Sequence, residues 1–345
     1  LCSDPTVKRI LKRDTDIEID TDSYDWLVLV GSEPVKHFTS VSSVTDYSGK
    51  KVDSKFLPVI SPAMLAFKPE AKKAWDESVA SIHGYISGDI EEAIIDEKVA
   101  FGIQDTQEAN EFIKQAIKHP SPYIALDSET TGLYPRDGYM LGISISYNGK
   151  CGAYIDTDCF DDTTEQLLQQ LFTEKTVVFH NAKFDMAFFE YHFHFKFPNF
   201  EDTMLLHYLV DENPGGHGLK ELAIKHTSYG DYEKPMYEWI DRYRREHGIL
   251  KDQFTWESIP FDVMKTYAAM DALVTFLLYE KLCVVKTNPK LKKVYENILI
   301  PGTRFLIDVQ DNGVPFDRQR LYISSDAMQK DIDAAIETLY KNDAI

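Results

Sequence analysis

The chain has 345 residues, 43% of them hydrophobic and 27% charged, with a formal net charge of −19. That length suits two or three domains, the composition is globular rather than disordered, no apolar run is long enough for a membrane span, and the start LCSDPTVKRI is unlike a signal peptide. The acidic balance argues against a protein devoted to gripping nucleic acid, since phosphate binding rests on Lys and Arg; it leaves open an enzyme that holds a few nucleotides through metals.

Along the chain, Trp26-Leu-Val-Leu-Val30 reads as a buried strand closing on Gly31-Ser-Glu-Pro34. A second apolar run, Leu57-Pro-Val-Ile60, enters Ser61-Pro62, and Ala71, Trp75, Val79 and Ile82 recur at helical spacing. The alternation predicts a small N-terminal α/β domain over residues 1–95. Residues 83–104 read as connection, and Asp105 three residues before Glu108 resembles a capping box opening a helix to Lys118. His119-Pro-Ser-Pro122 ends it.

Three strands are expected next, over 123–129, 140–147 and 152–156, with Asn148-Gly149 as a hairpin turn between the last two. A helix over 163–174, a strand over 176–179 and a helix over 184–191 come after them. The order β-β-β-α-β-α is that of a ribonuclease H-like fold, a mixed sheet with flanking helices, assigned to residues 96–287. Further helices fit 203–210, 219–226, 237–246 and 261–285. Cys2, Cys151, Cys159 and Cys283 form no CxxC pair, which suits reduced thiols in a cytoplasmic protein without structural zinc.

Asp127-Ser128-Glu129 closes the apolar run Tyr123-Ile-Ala-Leu126. Residues i and i+2 of a strand share a face, so both carboxylates project together. Asp185 opens a helix just after the strand Val177-Val-Phe179, and Tyr267 and Asp271 stand i, i+4 on one helix face. Converging carboxylates repel one another unless cations lie between them. Two divalent cations would neutralise the group and support in-line phosphodiester cleavage, and an all-oxygen site suits Mg2+ or Mn2+. Tyr267, a phenol with an ordinary pKa near 10, is expected to aim the water rather than deprotonate it. Asn181 suits a helix N-cap, a role compatible with substrate contact. Lys220, at a helix start, is within reach of a phosphate.

DSETTGL, HNAKFD and YAAMD resemble, in order and spacing, the three exonuclease motifs of the proofreading DEDDy family. The resemblance implies that Asp127, Glu129, Asp185 and Asp271 are metal ligands and that Tyr267 is the catalytic tyrosine. It implies that Thr130 and Leu133 touch the terminal nucleotide and that Asn181 contacts substrate. Tyr295-Glu-Asn-Ile-Leu-Ile-Pro301 and Phe305-Leu-Ile-Asp-Val-Gln-Asp-Asn-Gly-Val-Pro-Phe-Asp317 are similar to the segment that joins exonuclease to polymerase in phage-type family A DNA polymerases, so residues 288–345 are expected to begin a thumb-like helical segment. The palm motifs of that family are not in the chain, and its end at Ala344-Ile345, inside an apparent helix, reads as that of a piece of a longer polymerase. Val30-Gly-Ser-Glu-Pro34 and Ile60-Ser-Pro-Ala-Met-Leu65 are distantly similar to uracil-DNA glycosylase motifs, but Ser61 replaces the family histidine and Glu33 only partly answers for its acid, which implies the fold without the activity.

The resemblance thus implies a metal-dependent 3′-5′ exodeoxyribonuclease acting on single-stranded DNA 3′ ends or frayed primer termini, with a polymerase domain in cis or in trans. Its place would be the host bacterial cytoplasm if phage-encoded. An RNA 3′-5′ processing exonuclease and a non-catalytic polymerase-binding scaffold are the alternatives.

Overall fold

The computed structural model describes residues 20–39, 43–45, 47–52, 55–88, 95–212 and 216–341. The N-terminal region pairs two parallel strands, β1 (Leu27–Val30) and β2 (Phe56–Val59), in register from Leu27 opposite Phe56 to Val30 opposite Val59. Helix α1 (Ser32–Phe38) comes after β1, and α2 (Lys72–Ser87) packs Ile82 and Tyr85 against Leu57 and Val59. Strand-helix alternation is therefore present, as expected. The helix predicted from the spacing of Ala71 to Ile82 starts later and runs further than the apolar pattern suggests, because Pro62 and Pro69 confine the preceding residues to 3-10 turns.

Six strands form one mixed sheet: β3 (Ala100–Ile103), β4 (Tyr123–Thr130), β5 (Met140–Ser146), β6 (Gly152–Asp156), β7 (Thr176–Phe179) and β8 (Phe200–Asp202). Their order is β3-β6-β5-β4-β7-β8. Strand β5 runs antiparallel to both β4 and β6, whereas β7 is parallel to β4 and β8 to β7. This is the ribonuclease H-like arrangement, with β3 added at one edge. Residues 83–104 are not all connection: β3 lies inside them and pairs in parallel with β6. Four residues, Ala-Phe-Gly-Ile, are too few to display an alternation, so only the neighbouring strand reveals this one.

The helices are α3 (Thr106–Lys118), α4 (Asp162–Glu174), α5 (Ala182–Phe193), α6 (Thr203–Val210), α7 (Leu219–His226), α8 (Lys234–His247), α9 (Phe261–Leu282), α10 (Pro289–Val294), α11 (Ile300–Asn312) and α12 (Arg318–Tyr340). Those that pack on the sheet form two layers, and strand parity assigns the partners. Ile124 and Leu126 of β4 join α3, α4 and α5 in one core, with Ile307 of α11. Ala125 of β4 points the other way, into a core made with α6 to α9 and Tyr295. Helix α9 presses so closely on the sheet that a Cβ on Gly152 would lie 1.9 Å from the Ala269 carbonyl oxygen, a space only glycine leaves. The residues joining α10 to α11, Tyr295–Leu299, form one π-helical turn that buries Tyr295. Helix α12 buries no residue, and no helix among the described residues is long and apolar enough to cross a membrane.

Candidate active site

The parity that sorts the cores also sorts the site. Asp127 and Glu129 share the phase of Ala125 and so face α9, where Tyr267 and Asp271 stand one turn apart. Carboxylate oxygens of Asp127, Glu129 and Asp271 lie within 4.8 Å of one another. Glu129 is 7% exposed and Asp271 4%, while Asp127 is half-buried at the cleft floor. The register shift between Glu129 and Thr130 ends the regular ladder where the chain turns into the loop beside the acids.

Asp185 arrives from the opposite layer. Pairing of β4 with β7 stops at Ala125, so the rest of that edge of β4 is left to the start of α5. There the Ser128 backbone N–H and hydroxyl both donate to Asp185 Oδ1, at 3.0 and 2.6 Å. Ser128 has the phase of Leu126, toward the α5 layer. Asp185 therefore lines the same cleft as the other three acids without joining their 4.8 Å set. The cleft has a volume of about 360 Å³ and reaches from the acids and Tyr267 to Leu133 and Trp256 at its rim.

The electrostatics follow from burial. Desolvation, then the charges of Asp185, Asp271 and Glu129, drives the Asp127 carboxyl well above its usual value. Burial and the charge of Asp271 push Glu129 up to about 8. Asp185 reaches about 7 from burial, with the Ser128 hydrogen bonds pulling it down. The Tyr267 phenol is lifted well above 10 by burial and by the charges of Asp271 and Glu129, so it stays neutral near pH 7. Buried carboxylates that crowd one another in this way, with only oxygen donors among them, make a group that a hard divalent cation fits.

The remaining expected residues surround this core. Leu133 is 75% exposed at the rim. The Thr130 hydroxyl donates to the Gly132 carbonyl at 2.8 Å and shapes the loop. Asn181 has a left-handed backbone, φ 70°, and its side chain makes no capping bond to α5. The capping expected of Asn181 belongs instead to Asp202: its carboxylate accepts from the backbone N–H groups of Asn181 (3.2 Å) and Ala182 (2.9 Å) at the start of α5. The same carboxylate accepts from Met204 and Leu205 at the start of α6, at 2.9 and 3.3 Å. Asp202 in turn donates its own N–H to the buried Tyr295 hydroxyl at 2.8 Å. Lys183 donates to Gln310 of α11 at 3.0 Å rather than standing free beside the cleft.

Lys220 at the start of α7 and Tyr232 in the turn before α8 bracket Asp271. Both donate to Asp271 Oδ1, and the ammonium lies 4.2 Å from the centre of the Tyr267 ring. Tyr232, Ser128, Trp256 and Asp202 are site residues that the motifs do not single out. Ser128 had a signal, the central position of D-x-E, whose side chain must face the other layer. Tyr232 lies in a turn and Trp256 opens a three-residue 3-10 helix, both too short for a periodicity that would mark an inward face.

A family model described as 3′-5′ exonuclease, that of family A DNA polymerases, matches residues 101–285. The chain is 39% identical over 363 residues to the DNA polymerase of Escherichia phage T5, an alignment covering 99% of this chain and 42% of that protein. It is 24% identical over 350 residues to the DNA polymerase of Bacillus phage SP01, covering 91% of this chain and 37% of that one. Among solved structures it is similar to the catalytic core of RRP6 from Trypanosoma brucei, at 18% identity and TM-score 0.42, covering 59% of this chain and 51% of that one. The chain spans less than half the length of the two phage polymerases it matches.

Proposed function

This chain belongs to the 3′-5′ exonuclease family of family A DNA polymerases, and from that we propose that it removes nucleotides from unpaired DNA 3′ ends as the proofreading part of a longer phage-type polymerase. The observation that carries the reading is the buried convergence of Asp127, Glu129 and Asp271 beside a neutral Tyr267, with Asp185 across the same cleft. The 39% identity to a phage polymerase along nearly the whole chain supports it. In the same reading, residues 1–95, 96–287 and 288–345 are a small α/β domain, the exonuclease and the start of a thumb-like segment.

Asp127, Glu129, Asp185 and Asp271 would hold two divalent cations, Mg2+ or Mn2+. Bound there, they would supply the Lewis acidity for a water nucleophile and for the charge of a departing 3′ oxygen. The chain's own residues supply the rest. Tyr267, its proton retained, hydrogen-bonds the attacking water and fixes its approach, a positional contribution. Ser128 holds Asp185 by one oxygen, which leaves the other to face the cleft. Leu133 is poised to pack on the terminal base, and the cleft's modest volume admits an unpaired strand end rather than a duplex. Thr130 shapes the loop under that nucleotide, and Asn181, whose side chain is not used for capping, would be the substrate contact beside the start of α5.

The test is degradation of matched 3′-labelled DNA and RNA single strands with Mg2+, by wild type and Asp127→Ala. Wild type is expected to shorten DNA and release 5′-monophosphates. Loss of a ligand worth several kcal/mol should slow the variant on the order of 10³-fold. A strong RNA preference would move the reading to RNA processing, and equal rates in the two proteins would discard the site.

A further inference from the structure

Lys220 is in an unusual place for a cation. It is the second residue of α7, where the helix dipole presents its positive end and disfavours a lysine. Its ammonium nevertheless packs behind two cleft residues, against Asp271 Oδ1 and over the face of Tyr267 (4.2 Å), and also lies 3.1 Å from the Tyr232 hydroxyl and 4.7 Å from the centre of that ring. The acids account for it. Two aromatic faces and a carboxylate cluster form a strong cation-attracting pocket, and the Lys220 charge acts on Asp127 and Glu129 as well as on Asp271. The side chain remains 23% exposed, so a path out to solvent exists.

An ammonium and a divalent ion cannot share Asp271 Oδ1 at bonding distance, because like charges at such separations repel by several kcal/mol even at an effective dielectric near 20. We infer that Lys220 is an exchangeable counter-cation of the carboxylate cluster: it holds Asp271 until a divalent ion binds, and then yields that oxygen. Tyr232 is the second partner that keeps Asp271 oriented during the exchange, since an uncharged hydroxyl does not compete with the metal. Lys220 is thus a positioning residue that sets metal affinity, and the inference rests on the metal-site reading of the same acids.

Mn2+ binding to the full chain, stripped with chelator and desalted, tests this by the loss of the free-ion paramagnetic resonance signal. Lys220→Met is expected to bind Mn2+ roughly tenfold more tightly than wild type, within the roughly 5–150-fold span usual for coupled binding events. Lys220→Arg, which keeps the charge, should stay within about threefold of wild type, and a melting curve of each chelated variant separates misfolding from altered affinity. In parallel, the 15N resonance of the Lys220 ammonium, assigned by its absence in the arginine variant, is expected to shift on saturation with Mg2+. Equal or weaker Mn2+ binding by Lys220→Met, or a resonance that does not move, would overturn the exchange while leaving the metal site standing. Absence of Mn2+ binding in every form, wild type included, would remove the metal reading and the inference with it.

Discussion

The two walls of the cleft are built by different means. The wall shared by β4 and α9 needs only local periodicity: a strand sets Asp127 and Glu129 on one face, and a helical turn sets Tyr267 beside Asp271. The wall made by the start of α5 is held by side chains far away in sequence. Asp185 depends on Ser128, the start of α5 on Asp202, and Asp202 on Tyr295. One wall is therefore stiff because of its own secondary structure, and the other because of a relay of buried hydrogen bonds. Damage to the relay should cost activity while leaving the Asp127, Glu129 and Asp271 group able to take a cation.

The largest effect that would sharpen this contrast is at Asp202. Asp202→Ala leaves four backbone N–H groups at two helix starts without their acceptor. Relief from burying a carboxylate offsets part of that loss, leaving a net destabilisation of about 3 kcal/mol. For a unit the length of the matched segment, residues 101–285, that is a fall in Tm of roughly 6–12 °C. Exonuclease activity below the new Tm should drop with it, while Mn2+ binding survives. Unchanged activity in a variant that melts this early would break the comparison, since α5 would then not need its anchor.

Legibility in the sequence divides along the same line. D-x-E at a strand end and Y-x-x-x-D in a helix can be placed because periods of 2 and 3.6 fix which residues face together. The sheet order accords with the strand-helix alternation, and the helices predicted over 203–210 and 219–226 have those bounds. The motif identifies Asp185, but not its separation from the other three acids, because that depends on which layer packs α5. In the sequence Asp202 is one acid among 56, and only a structure places it between two helix starts. Tyr295 reads as part of a joining segment, and its burial under β8 requires the π-helical turn that no spacing rule anticipates.

Ser128→Ala probes the junction of the two walls and has a pH signature. The two Ser128 hydrogen bonds lower the Asp185 pKa against the burial that raises it to about 7. Removing the hydroxyl takes away one of these, so the Asp185 pKa rises further. In the proposed role of Asp185 as a ligand the carboxylate works deprotonated, so loss of a charge-assisted bond of roughly 1.5 kcal/mol should lower activity at pH 7 by about sevenfold. The acid limb of the pH–rate profile moves to higher pH, and part of the lost rate returns by pH 9. An unchanged profile with a uniformly lower rate would mean that Ser128 acts through geometry alone.

The smallest effect lies at the far end of the relay. Tyr295→Phe keeps the ring, which is 1% exposed in the core beneath α9, and removes the hydroxyl that accepts the Asp202 N–H at 2.8 Å and donates to the Asp202 carbonyl at 3.4 Å. A buried amide left without a partner costs about 1–2 kcal/mol, and the loss of the ring's polar burden returns a fraction of it. A net loss of about 1 kcal/mol, or roughly 2–4 °C in Tm, is expected. The Asp202 carboxylate still caps both helices, so activity measured well below the melting range should fall less than twofold. That outcome would place Tyr295 on the stability side of the relay and Asp202 on the catalytic side. A drop in rate as deep as that of Ser128→Ala, without a larger fall in Tm, would instead mean that the segment carrying Tyr295 positions Asp185 directly, and that the π-helical turn and α11 are coupled to the chemistry in the cleft.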